Sequence, residues 1–164
     1  MKVRVYYADT DAGGVVYYAN YLRWLEMARC ELLESLGMSA ADYAKQGLLF
    51  TVVRVEIDYR IPAVLGESIE IQTSVERVRR VRFTLGQRVV RCADGAELAA
   101  AQVTLACVDP QGSILALPKE LAAALRKRET RRKRETDARR ECYSFFPVSF
   151  LICSIVRDAL AATA

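Results

Sequence analysis

The sequence predicts an α+β fold in which one long central helix is wrapped by a curved antiparallel five-stranded sheet. The first observation is a single helical stripe, because apolar residues recur three and four positions apart between about residues 18 and 36. The second is a succession of β-branched, period-two segments on short links, which is typical of antiparallel strands. A lone apolar helix needs a sheet face on which to bury its stripe, so both observations indicate one layered domain.

The first elements are a strand and the long helix. Alternation of Val3, Val5 and Tyr7 on one face predicts a strand over residues 2–8. The helix is predicted over residues 18–36, and its stripe consists of Leu22, Leu25, Ala28, Arg29, Leu32, Leu33 and Leu36.

The spacing of Ser39 and Asp42 resembles a capping box and predicts a short second helix. Four strands are predicted after it, at about residues 49–61, 66–78, 81–93 and 96–109. Asp94-Gly95 is a hairpin signal, and Pro118 is placed to begin a last helix. The exposed sheet edges and the open flank of the long helix favour a dimer.

Charge divides the chain near residue 127. Residues 1–125 carry 14 Lys and Arg against 15 Asp and Glu, whereas residues 126–164 carry 10 against 5. We therefore expect a nearly neutral domain over 1–127 and a basic, then apolar, extension over 128–164 that is solvated or disordered. The apolar part is shorter than the roughly 20 residues that cross a bilayer, so peripheral contact with an anionic membrane surface is the alternative role.

The absence of histidine excludes several classes of catalyst. Ser-His-Asp triads, Cys-His dyads and HExxH metal sites all need that residue. The five cysteines are odd in number and lack CxxC spacing, so we expect neither a disulfide framework nor a metal, and no cofactor. No signal peptide is recognisable, which favours the cytoplasm, and the basic run has no interleaved aromatics, which argues against nucleic acid.

The stretch from Tyr7 to Tyr21 carries the candidate chemistry. Asp11 precedes Gly13-Gly14 and then the start of the long helix, so a carboxylate stands beside backbone N–H donors. Such donors polarise a carbonyl group that is under attack. Asp9 is expected to hold the turn and Asn20 to cap the helix. From the residues alone, a turn or cap aspartate is an equal alternative for Asp11.

The run from Asp9 to Tyr21 (DTDAGGVVYYANY) closely resembles the signature of hotdog-fold acyl-CoA thioesterases of the 4-hydroxybenzoyl-CoA thioesterase family, nearest to its Tol–Pal-associated (YbgC-like) branch. Weaker motifs recur in order up to Leu117-Pro118-Lys119, so the resemblance covers residues 1–127. It implies a hotdog fold, a homodimer or homotetramer with the active site at the subunit interface, and hydrolysis of thioesters of CoA or acyl carrier protein. The alternative is a hotdog protein that binds acyl-CoA, or a membrane surface, without turnover.

The resemblance also implies roles for particular residues. The family's catalytic carboxylate, acting as general base or nucleophile, falls on Asp11, and the N–H that polarises the carbonyl falls on Tyr18. The residues expected to bind substrate beside them are Gly13, Gly14, Val16 and Tyr17. Cations that family members bring to the phosphates of CoA are expected at Arg79, Arg80 and Arg82, with a solvated charged turn as the alternative. The nearest branch usually has histidine where this chain has Tyr18, so the acyl group is not predicted.

Overall fold

A curved antiparallel sheet and one long helix organise the chain. The structure is a computed structural model that describes residues 1–37 and 39–130. The predictions made for residues 131–164, including membrane contact, lie outside the described residues. None of the helices in the described ranges combines the length and apolarity required to cross a membrane.

In chain order the elements are β1 (Lys2–Arg4), a 3-10 turn (Tyr7–Asp9), α1 (Tyr18–Glu34), α2 (Ala40–Lys45), β2 (Leu49–Tyr59), β3 (Ser68–Val78), β4 (Arg82–Arg91) and β5 (Glu97–Val108). A last helix, α3, covers residues 119–130. The strand order is β1-β3-β4-β5-β2, and all neighbours are antiparallel. This confirms the predicted α+β architecture and makes β2 one edge of the sheet.

The core lies between α1 and the inner face of the sheet. One cluster surrounds Trp24 and Leu25 of α1, and a second joins the end of α1 to α3. A buried amide crosses this interface, because Gln87 of β4 donates to the carbonyl of Leu25 at 2.9 Å. The same side chain accepts a bond from Arg29 at 3.1 Å, which fixes α1 over the sheet.

The first strand is shorter than predicted. β1 ends at Arg4, and Tyr7 is 82% exposed rather than on the buried face. The cause is local, since the carboxylate of Asp9 accepts the N–H of Tyr6 at 2.9 Å and closes the 3-10 turn. Extended pairing cannot continue through that turn.

The stripe of α1 also differs from the prediction at its first turns. Leu22 is exposed, while Tyr21 and Trp24 take the buried face. In contrast, the capping box at α2 is confirmed, because Ser39 Oγ accepts the N–H of Asp42 at 3.1 Å.

Candidate active site

The chain between β1 and α1 forms a small hairpin whose tip carries Asp11. Thr10 and Val16 form an antiparallel bridge. The N–H of Asp11 donates to the carbonyl of Val15 at 3.0 Å, and the N–H of Gly14 returns to the carbonyl of Asp11 at 3.0 Å. Gly14 has φ 73°, a left-handed conformation that favours glycine. This tight tip leaves Asp11 exposed to solvent.

The first glycine of the tip, Gly13, orients the Asp11 carboxylate. The N–H of Gly13 donates to Oδ1 of Asp11 at 2.8 Å. A Cβ atom at position 13 would lie 3.0 Å from the same oxygen, so a larger residue would crowd the carboxylate. The carboxylate is therefore held by a backbone donor while it stays accessible to a ligand.

The helix α1 begins directly after the hairpin with an N-terminus that no side chain caps. Tyr17 is the N-cap residue, and its side chain makes no cap hydrogen bond. The first N–H groups of a helix lack partners within it and carry a partial positive charge, so the N–H of Tyr18 suits a carbonyl oxygen. The prediction that Asn20 caps this helix is wrong, because its Nδ2 donates to the carbonyl of Asp9 at 2.9 Å.

The loop after β2 packs against the hairpin and forms backbone hydrogen bonds with it. Val16, predicted to bind substrate, is buried at 4% exposure, and its N–H donates to the carbonyl of Ala63 at 2.8 Å. The hydroxyl of Tyr21 accepts the N–H of Ala63 at 3.0 Å, and Val15 forms a bridge with Val64. The side chain of Val16 thus contributes to the core, and its place in substrate binding stays a prediction.

Two adjacent tyrosines, Tyr17 and Tyr18, stand at the helix start. The rings of Tyr17 and Tyr18 lie 4.7 Å apart, and both are substantially exposed. The pKa of Tyr17 is raised first by its hydrogen bond with the Tyr18 side chain and then by the charge of that group, by burial and by the charge of Asp11. Sequence reasoning missed Tyr59 at the end of β2, whose hydroxyl donates to the carbonyl of Tyr18 at 3.1 Å.

The predicted phosphate-binding arginines line a different surface. Arg79, Arg80 and Arg82 border an open cavity of about 790 Å³ at the β3–β4 hairpin. Arg54 of β2 and Arg77 of β3 join them, although neither was singled out from the sequence. Both follow an irregularity in strand pairing, which a period-two pattern cannot locate. We call these five residues the arginine cluster.

Within one chain the arginine cluster and Asp11 lie at opposite ends of the sheet. Arg82 pairs with Ala106, and Ala106 pairs with Thr51 near the start of β2. Tyr59 ends β2 beside Tyr18. The eight residues that separate Thr51 from Tyr59 correspond to about 26 Å of strand. A single subunit therefore does not bring the predicted arginines to the predicted carboxylate.

Comparisons with known proteins agree with this architecture. The thioesterase-like superfamily matches residues 5–125. The chain is 40% identical over 122 residues to the acyl-CoA thioester hydrolase YbgC of Escherichia coli O6:H1, which covers 74% of this chain and 90% of that protein. It is 41% identical over 124 residues to the acyl-CoA thioesterase YbgC of Haemophilus influenzae, with the same coverage of 74% and 90%.

A solved structure extends the similarity to the fold. The DHNA-CoA thioesterase from Staphylococcus aureus superposes with a TM-score of 0.77 at 25% identity, over 82% of this chain and 93% of that chain. The antiparallel sheet curled round a long helix is the hotdog arrangement predicted from the sequence. The chain belongs to the thioesterase-like superfamily and is a thioesterase of the hotdog fold.

Proposed function

We propose that this chain hydrolyses acyl-CoA thioesters to a free acid and CoA, with thioesters of acyl carrier protein as the alternative substrate. The observation that carries the proposal is the exposed carboxylate of Asp11 on a hairpin that leads directly into the uncapped N-terminus of α1. The names of the relatives from Escherichia coli and Haemophilus influenzae support the choice of CoA as the thiol.

In the proposed reaction, the thioester carbonyl oxygen accepts a hydrogen bond from the N–H of Tyr18. Asp11 takes a proton from a water molecule as that water attacks the carbonyl carbon. A C–O bond forms, the C–S bond breaks, and the sulfur leaves as a thiolate that solvent protonates, while Asp11 gives its proton back to solvent. In the alternative course, Asp11 itself attacks the carbonyl carbon, the C–S bond breaks with release of the thiolate, and water then hydrolyses the resulting mixed anhydride. Loss of one oxyanion donor typically slows such reactions about 10²–10³-fold.

We further propose that the active form is at least a homodimer joined through β2. Exposed apolar side chains follow this edge strand, including Val52 at 42%, Val53 at 54% and Val55 at 41% exposure. A long apolar edge strand is a ready surface for another strand. These features support pairing of β2 with a second copy.

An antiparallel pairing of two β2 strands would bring together the arginine cluster and an Asp11 carboxylate, which lie far apart within one chain. It sets the start of one β2 beside the end of the other. The arginine cluster of one subunit would then approach Asp11 of the partner subunit. Guanidinium groups bind phosphate bidentately, so the cluster suits the phosphates of CoA.

The test measures thiol release from one acyl group carried on three thiols: CoA, acyl carrier protein and N-acetylcysteamine, which lacks phosphates. We expect turnover of the CoA thioester, with a higher KM for the N-acetylcysteamine thioester. Binding of acyl-CoA without release of thiol, over short, long and aromatic acyl groups, would instead support a non-catalytic acyl-CoA-binding protein. Membrane contact, a cytoplasmic location and association with Tol–Pal stay predictions.

A further inference from the structure

The amide of Asn20 links the first turn of α1 to residues 9–11. These residues form the first strand of the hairpin that carries Asp11, and we call them the arm. Its Nδ2 donates to the carbonyl of Asp9 at 2.9 Å. The same carbonyl accepts the N–H of Tyr17, also at 2.9 Å. One oxygen atom therefore receives a backbone donor from the N-cap residue and a side-chain donor from the first turn of the helix.

Asp9 is the base of the arm, two residues before Asp11. It is buried at 8% exposure, and its carboxylate is engaged by the N–H of Tyr6. Beyond Asp9 the arm continues into the exposed tip, where the carboxylate of Asp11 is bound to Gly13. The bonds to the carbonyl of Asp9 are thus one of the restraints on the position of that carboxylate relative to the helix start.

The Tyr17–Asp9 bond belongs to the hairpin itself, as does the bond from the N–H of Asp11 to the carbonyl of Val15. These bonds hold the hairpin together, and the hairpin joins α1 at Tyr17. The bond from Asn20 is different, because it comes from the first turn of α1 and not from the hairpin. It therefore restrains the hairpin against rotation relative to α1. The N–H of Tyr18 and the carboxylate of Asp11 lie on opposite sides of this junction, so the bond from Asn20 restrains their relative placement.

We propose that Asn20 is a positioning residue for hydrolysis, which acts through the carbonyl of Asp9 to hold Asp11 in register with the N–H of Tyr18. The inference rests on the proposed function. It differs from a capping role, because Tyr17 is the N-cap and the amide of Asn20 donates to a carbonyl outside the helix. Displacement of a reacting group by about 1 Å costs up to roughly 10²-fold in rate.

The experiment compares Asn20→Ala and Asn20→Asp with wild-type protein on one acyl-CoA substrate. Asn20→Asp keeps the side-chain shape but removes the donor, so it tests the bond rather than the packing. We expect kcat to fall about 10- to 100-fold in both variants while KM stays within about twofold, because alignment and not substrate binding is lost. Assays run well below the melting temperature of each variant.

The matched control is Ser74→Ala, which removes one side-chain bond to a backbone carbonyl, that of Gly86 at 3.1 Å, in the middle of the sheet. We expect it to lower the melting temperature by an amount similar to the Asn20 variants and to leave kcat unchanged. A kcat within twofold of wild type in either Asn20 variant would overturn the inference, as would an equal loss of kcat in Ser74→Ala. These results leave the proposed function standing, since wild-type turnover reports on it separately; a wild-type protein that releases no thiol overturns both.

Discussion

Two aspartates only two residues apart have different environments. Asp9 is buried, and both its carboxylate and its carbonyl accept hydrogen bonds from neighbouring backbone or side-chain donors. Asp11 is exposed, and its carboxylate accepts the N–H of Gly13. The local turn therefore needs Asp9 for its geometry, whereas the accessible carboxylate is that of Asp11. The sequence predicted this division of roles, and the contacts of Asp9 agree with it.

Among the individual residues, Cys30 is not suited to act as a nucleophile. Burial, the hydrogen bond to Glu26 and the charge of Glu26 raise the pKa of this thiol to about 11, against a smaller opposite effect of Arg29. A raised pKa favours the neutral thiol over the reactive thiolate at pH 8. Thiolate forms only as the pH approaches 11.

We expect Cys30→Ser to keep hydrolysis within about twofold of wild type. We also expect a maleimide at pH 8 to modify the exposed Cys92 well before Cys30. Peptide mapping by mass spectrometry, with activity measured on the same samples, checks both statements. Activity that disappears in step with modification of Cys30 would contradict this account.

At the scale of elements, strand and helix order followed from periodicity, but contacts between elements did not. The pattern of apolar residues located α1 and the four long strands closely. It could not show that Asn20 turns back to Asp9, since asparagine near a helix start fits a cap equally well. It likewise missed Arg54 and Arg77, because their meeting depends on the paired register of four strands, β2, β5, β4 and β3.

The β3–β4 hairpin gives a prediction for substrate binding. Replacing both Arg79 and Arg80 with serine removes two guanidinium groups from the cavity. We expect KM for an acyl-CoA to rise about tenfold or more, because a charge-assisted bond contributes roughly 1.5–3 kcal/mol. KM for the matching N-acetylcysteamine thioester should not change, and kcat should change little for either substrate.

Arg88→Ser is the control, since Arg88 lies on β4, the second strand of this hairpin, but pairs with Glu97 outside the cavity. It should leave KM for the acyl-CoA unchanged. An equal rise in KM for both thioesters in the hairpin variant would show that the arginines support the fold rather than the phosphates.

At the scale of the whole molecule, the edge of β2 predicts that assembly and activity are linked. Val53→Lys places a charge on this edge where the native side chain is 54% exposed. Lysine on an edge strand opposes pairing with another strand. We expect a folded monomer by light scattering. Hydrolysis of acyl-CoA should fall at least about tenfold, because the arginine cluster of one subunit would no longer reach Asp11 of the other.

Gln72→Lys, at an exposed position of β3 away from that edge, is the control and should stay oligomeric and active. A Val53→Lys protein that is monomeric and fully active would contradict the proposed dimer. A variant that stays oligomeric would place the subunit contact elsewhere.

The end of the folded domain gives a further prediction. Leu121 and Leu125 of α3 are 2% and 0% exposed, so the domain needs this helix. We expect a version that ends at Glu129 to melt within a few degrees of the full chain and to keep its kcat/KM. A version that ends at Pro118 should lose its cooperative transition in calorimetry, because burial of each such leucine contributes about 2–5 kcal/mol. Loss of hydrolysis in the longer version would give residues 130–164 a role in the reaction.

The most direct test of Asp11 as the base or nucleophile is the rate of thiol release by Asp11→Asn on an acyl-CoA that the wild-type protein hydrolyses. The substitution keeps the side-chain shape and an oxygen for the N–H of Gly13, but it removes the base or nucleophile. We predict a loss of kcat of at least about 10³-fold, with the melting temperature and the oligomeric state of the wild type retained. Retention of more than a tenth of the wild-type kcat would contradict the assignment of Asp11.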